Sequence, residues 1–269
     1  MTWKTIAHRD RKLTVSARSV KILLALLVFA VLLAGYLYPV VGTKPITTAR
    51  FSGFLIDPIT TMLPFIGVLL GYNAVVSERE TGSILLSLSL PQSRKDVVIG
   101  KYTSRTGILA VTIAFAMVGA GLLVVYPFGE LNLLPFLAFT VLTILFGAVW
   151  SGIGIAISIA VATKRRAVTL GFGLVFLFAI VWDMISTALE IGLNAAGVID
   201  GRLPGPVRFL FALEPGHSYE SVTTGFIDPS TTIDGPWYLN EWVALLLLIF
   251  WTVGPVGLTY LRFVGRDLA

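Results

Sequence analysis

Three carboxylates fall inside apolar stretches of the chain: Asp57 ahead of Pro58, Asp183 behind Trp182, and Glu190 seven residues beyond Asp183. A charge in hydrocarbon costs a few kcal/mol even on insertion scales, so such groups normally face protein or water. Seven residues of helix place Asp183 and Glu190 about two turns apart on one face. In one reading the three line a translocation pathway or bind a cation. In the other, Asp57 caps its helix, Glu190 reaches the exterior interface and Asp183 pairs within a bundle.

Other chemistry lacks its equipment. Gly100-Lys101 superficially suggests a phosphate loop, but position 95 is Lys and position 102 is Tyr, so Gly-x4-Gly-Lys-Ser/Thr is absent and any ATP must be hydrolysed by another chain. There is no His-Glu-x-x-His helix, no Gly-x-Ser-x-Gly elbow and no cysteine, which removes thiolate metal sites, disulfides and a cysteine nucleophile. His217 follows Glu214 by three residues, but a metal site generally needs three or four ligands. Met62, Met117 and Met184 read as packing residues. No catalytic residue, no metal and no cofactor of its own are therefore expected.

The elements that must hold the carboxylates are membrane helices. Of 269 residues, 56% are hydrophobic and 13% charged, and the mean hydropathy is +0.87, too apolar for a soluble domain of this size. Runs over 21–41, 54–76, 106–126, 133–162, 168–193 and 242–263 are each long enough to cross a hydrocarbon core of about 30 Å. The first lies behind a basic stretch without a small-x-small cleavage site and reads as a retained helix rather than a signal peptide. The fold expected is all-α integral membrane: one domain over 1–269 with six transmembrane helices.

Orientation follows from Lys and Arg, which are retained in the cytoplasm during insertion. Of 20 such residues, 16 lie before helix 1, between helices 2 and 3, between 4 and 5, and after 6. Both termini are thus expected in the cytoplasm, in a cell inner or plasma membrane. The formal charge of +5 is accounted for by topology and anionic lipid, not by nucleic acid.

In residues 1–20, Trp3, Ile6, Leu13 and Val20 recur at helical spacing against Lys4, Arg9, Arg11, Lys12 and Arg18. That pattern is an amphipathic interfacial helix or, more plainly, a solvated basic tail. The connection 77–105 opens with Ser77-Glu78-Arg79-Glu80-Thr81-Gly82-Ser83, continues through Ile84, Leu85 and Leu88, and stops at Pro91 before Ser93-Arg94-Lys95-Asp96. Ser77 is placed to cap a helix with Glu78 and Glu80 in its first turn, Gly82 to interrupt it and Pro91 to end it. The product is a short helix at the inner membrane surface. Gly147, Ser151, Gly152, Gly154 and Ser158 put small residues on helix 4, a device for close packing within the subunit or at a dimer face.

The run Glu78-Arg79-Glu80-Thr81-Gly82-Ser83, then Leu85-Leu86, Leu90-Pro91, Ser93-Arg94 and Gly100-Lys101, resembles the ABC-2 permease pattern. The resemblance implies an ABC ATPase subunit docked on this segment, with Glu78, Glu80, Gly82, Ser83, Pro91 and Arg94 in the coupling helix. ATP and Mg would sit on that partner, and a second permease copy would complete a homodimer that exports an unidentified substrate. Val181-Trp182-Asp183, Glu214-Pro215, Tyr219 and Gly225-Phe226 are similar to the nitrous-oxide-reductase maturation permeases, which implies service to metallocofactor assembly. A structural or sensory membrane protein is the alternative outside transport. The exterior loop 194–241, acidic except for Arg202 and Arg208, holds an apolar stretch over 207–213 and would gate the outer exit, receive an extracytoplasmic partner, or simply be solvated.

Overall fold

A computed structural model describes residues 2–42, 44–81, 93–126, 129–227 and 235–264. The helices are α1 (Trp3–Ser16), α2 (Arg18–Val41), α3 (Thr48–Gly71), α4 (Val76–Glu80), α5 (Arg94–Val125), α6 (Leu133–Ala160), α7 (Lys164–Phe176), a π-helical turn (Leu177–Val181), α8 (Trp182–Ala195), α9 (Gly205–Ala212), α10 (Pro215–Ile227), a 3-10 turn (Trp237–Leu239) and α11 (Glu241–Val264). Among the described residues there is no strand. Six stretches are long and apolar enough to cross a membrane: Arg18–Val41, Thr48–Glu80, Arg94–Val125, Leu133–Ala160, Lys164–Ala195 and Glu241–Arg262. The chain is a multi-pass membrane protein.

Hydropathy places the third span at 106–126, yet α5 begins twelve residues earlier, at Arg94. Ser93 starts it with a capping box: its Oγ accepts the Asp96 N–H at 3.1 Å, and the Asp96 carboxylate accepts the Ser93 N–H at 3.4 Å. The polar residues Lys101 and Arg105 lower the local hydropathy but stay helical, because α1 and α4 bring carboxylates to them.

Helix α6 is the centre of the bundle, with α3, α5, α10 and α11 against it, while α2 and α1 pack on α5. The small residues of α6 serve the α3 crossing. A Cβ on Gly71 would lie 2.5 Å from the Ser151 carbonyl oxygen, and one on Gly154 would lie 2.9 Å from that of Val68. Neither backbone could approach so closely with a side chain between them, and in lipid such packing drives association. At the acidic end of the bundle the Thr48 N–H donates to Glu130 O at 3.1 Å, and the Glu130 N–H to Ile46 O at 3.0 Å, clipping two connections together.

Burial is uneven. Half of the second span is buried within the chain, against 11% of the fifth and of the sixth. Met184, Ile185 and Ile191 on α8 and Leu246, Phe250 and Val253 on α11 are exposed. These faces must be covered by lipid or by another chain.

Candidate functional site

At the basic end of the bundle, α3 turns over residues 72–75 into α4. The start of α4 is capped from across the fold: Ser158 Oγ on α6 accepts the N–H groups of Val75 and Val76 at 2.9 and 3.0 Å. Ser77, expected to be that cap, lies inside the turn and donates to Asn73 O at 2.9 Å. Ser158 takes the role because the α3–α6 crossing delivers its hydroxyl to the orphan donors, which a residue one position into the helix does not reach.

The next three residues each grip a different element. Glu78 Oε1 accepts from Lys101 Nζ on α5 at 2.6 Å. Arg79 Nη1 donates to the carbonyls of Ile159 and Val161 at 3.3 and 2.9 Å, at the C-terminus of α6. Glu80 Oε1 accepts the Lys164 N–H at 2.6 Å, at the N-terminus of α7. A cation at one helix C-terminus and an anion at the next N-terminus both complement the helix dipoles. The pair therefore staples the α6–α7 connection from both sides.

Behind this turn lies a buried charge network. Lys101, 5% exposed, also donates to Ala74 O and lies 3.9 Å from Asp10 on α1. Arg105 forks onto Asp10 through Nε and Nη2 at 2.8 and 3.0 Å, and its Nη1 donates to Leu70 O at 3.1 Å. Asp10 is 8% exposed. Such bidentate pairs hold geometry, and removal of one partner leaves a buried charge that destabilises by about 3–5 kcal/mol. The network ties α1, α4 and α5 into one unit. Of the residues expected at the coupling segment, Glu78 belongs to this network, Glu80 holds the start of α7 instead, Arg94 opens α5, and Gly82, Ser83 and Pro91 lie outside the described residues, as does the apolar stripe at Ile84, Leu85 and Leu88.

The acidic end carries a second polar site. Asp57, Asp183, Glu214, His217 and Glu220 line one chamber of about 180 Å³. Asp57 lies about two and a half turns inside α3; the cap of that helix is Thr47, whose hydroxyl accepts the Arg50 N–H at 3.2 Å. Asp183 lies two residues past the end of the π-helical turn, a distortion that recurs at functional sites. Glu214 is 4% exposed and caps α10, accepting the N–H groups of Gly216 and His217 at 2.7 Å each. The His217 ring bridges two acids: Nδ1 is 3.1 Å from Glu214 Oε2, and Nε2 is 3.4 Å from Asp183 Oδ1.

With an acceptor at each nitrogen, the imidazole is best satisfied as the doubly protonated cation. Burial pulls its pKa down, but Glu214, Asp183 and Glu220 outweigh burial and hold it above the usual value. Glu220 is raised by burial first, opposed by His217 and reinforced by the charges of Asp57, Asp183 and Glu214. Among the described residues no three acids or histidines are arranged to hold a metal ion. Glu190 does not join Asp183; it lines a wider cavity of about 340 Å³ further along α8, which His217 and Arg202 also line. Sequence reasoning weighed His217 with Glu214 only as a metal site, for which two ligands are too few, and so missed its pairing with Asp183. The available signal was Glu214 three residues earlier, ahead of a helix that begins with Pro215.

Comparison with known proteins gives a consistent pattern. The family described as ABC-2 family transporter protein matches residues 4–268. The chain is 27% identical over 214 residues to the "Probable ABC transporter permease protein NosY" of Stutzerimonas stutzeri, covering 78% of this chain and 73% of that protein. To the protein of the same name from Pseudomonas aeruginosa it is 29% identical over 173 residues, covering 63% of this chain and 61% of that one.

Proposed function

Since the chain belongs to the ABC-2 family of transporter proteins, we propose that it is the permease subunit of an ATP-driven exporter whose ATPase is a separate chain docked at the basic end of the bundle. The observation that carries this reading is the three-way grip of Glu78, Arg79 and Glu80 on α5, α6 and α7. A remote site shifts a conformational equilibrium only through contacts that differ between its two states. A partner that moves this turn acts at once on three membrane helices and, through Lys101 and Asp10, on α1. Both termini then lie in the cytoplasm, in agreement with the distribution of Lys and Arg. A second permease copy would cover exposed apolar faces of α8 and α11.

The acidic chamber then serves as the outward-facing end of the pathway, where Asp57 and Asp183 meet water and α9 and α10 form the rim. A second reading is favoured by one feature. The two stretches similar to nitrous-oxide-reductase maturation permeases, Trp182-Asp183 and Glu214-Pro215, meet at His217. In that reading the complex serves metallocofactor assembly outside the cytoplasm, and the rim receives an extracytoplasmic partner. Copurification of an ABC ATPase with vanadate-sensitive ATP turnover supports the transporter subunit. Purification with no ATPase from cells that carry the neighbouring genes removes it.

A further inference from the structure

A groove of about 400 Å³ runs between α1 and α5 at the basic end of the bundle. On the α1 side it is lined by Lys4, His8 and Arg11, and on the α5 side by Ser104, Gly107 and Val111. Among the described residues neither Lys4 nor Arg11 has a carboxylate within ion-pair distance; Arg11 Nη2 meets only His8 Nδ1, at 3.5 Å. The acid on α1, Asp10, is already neutralised by Arg105 and Lys101. The groove therefore carries uncompensated positive charge.

Its floor joins a buried hydroxyl to open space at Gly107. Ser104 is 3% exposed, and its hydroxyl has no hydrogen-bond partner among the described residues. Thr103 beside it returns its hydroxyl to Ile99 O at 2.7 Å. A Cβ on Gly107 would meet nothing within 4 Å. Beyond the floor, Val111, Phe115, Val118 and Leu122 follow at helical spacing, and each is more than 60% exposed. A basic mouth over an unpartnered hydroxyl, continued by an apolar track along a membrane span, has the polarity of a phospholipid.

We propose that this groove binds an anionic phospholipid, its phosphate held by Lys4 and Arg11 above the floor at Ser104 and its acyl chain laid along Val111 and Phe115. A free phosphate would leave the apolar track uncovered, and the cavity is far larger than the roughly 30 Å³ of a water molecule. A second copy of this chain in a two-fold contact would bring like charges of α1 together. Anionic lipid suits both ends of the groove, and each basic residue near a charged membrane surface contributes about 1 kcal/mol, roughly fivefold in binding. The site makes no use of the ATPase and stands apart from that assignment.

The test is native mass spectrometry of the full-length chain in detergent, titrated with dioleoylphosphatidylglycerol, with dioleoylphosphatidylcholine as the neutral control. The wild type should retain the anionic lipid preferentially. Lys4→Gln with Arg11→Gln should weaken it by more than tenfold, while Arg9, Lys12, Arg18 and Lys21 preserve the orientation signal. Gly107→Leu should also abolish the preference, by filling open space without disturbing the fold. Lys12→Gln, at a residue that does not line the groove, should leave it intact. Equal retention of both lipids, unchanged binding by the double and Gly107 variants, or displacement of the lipid by equimolar inorganic phosphate would overturn the proposal.

Discussion

Lys101 Nζ stands 2.6 Å from Glu78 Oε1 and 3.9 Å from Asp10 Oδ1, so one buried ammonium joins helices from three separate parts of the chain. Lys101→Met removes the cation but leaves Glu78 and part of the Asp10 charge in place. Loss of one partner of a buried pair is expected to destabilise by about 3–5 kcal/mol. Thermal unfolding in detergent should show a clear fall in Tm for Lys101→Met, with partial recovery in Lys101→Met/Glu78→Gln, where the stranded charge on α4 is gone. No recovery would mean that the two side chains do not act as a pair.

The α3–α6 crossing sets a second expectation. Gly71→Leu must push a side chain against the Ser151 carbonyl and the Ile155 N–H, which a Cβ would meet at 2.5 and 2.7 Å. Overpacking of this kind destabilises by about 1–3 kcal/mol or more. Gly53→Ala, where a Cβ would meet nothing within 4 Å, should stay within about 0.5 kcal/mol of the wild type. Equal Tm values for the two variants would contradict the crossing geometry.

The acidic chamber predicts a direction of pH dependence. His217 and Glu220 both have raised pKa values in the folded chain. The folded state thus binds more protons than the unfolded one, and stability falls as pH rises. For His217 the contribution is complete below its ordinary value of about 6.5 and is lost as pH passes through the raised value. Glu220 adds a loss in the same direction, beginning near the carboxylate range. Asp57, Asp183 and Glu214 face the pair and set its environment. Tm should therefore decline between about pH 5 and 8, and His217→Gln should flatten the upper part of that decline. An identical slope in the variant would remove His217 from the chamber's electrostatics.

The spans were legible because lipid imposes an apolar length on any crossing helix, and the fifth and sixth match the expected runs within a few residues. The start of α5 was not, since Lys101 and Arg105 look like loop residues until Glu78 and Asp10, 23 and 95 positions away, arrive to neutralise them. Nor was the capping of α4 by Ser158, 82 residues from Val76. Asp57 and Asp183 could be singled out by the penalty for charge in hydrocarbon, and they do share a chamber. Their companions Glu214 and His217 lie in a connection where charge is unremarkable, and only tertiary packing brings them inward.

An ATPase docked on the turn formed by Glu78, Arg79 and Glu80 would bring its nucleotide-dependent motion within reach of a probe placed there. The chain contains no cysteine, so a single introduced thiol reports one position. Thr81→Cys, at the last described residue of that turn, and Asp200→Cys, at the acidic end, would each be coupled to a short maleimide photocrosslinker in membranes holding the copurified ATPase. Position 81 should give a crosslink whose yield changes between ATP-bound and nucleotide-free conditions, position 200 should give none, and the nucleotide response should be lost when Glu80→Lys is combined with Thr81→Cys. A crosslink from position 200 instead, or a yield at position 81 that ignores both nucleotide and Glu80→Lys, would contradict docking on that turn.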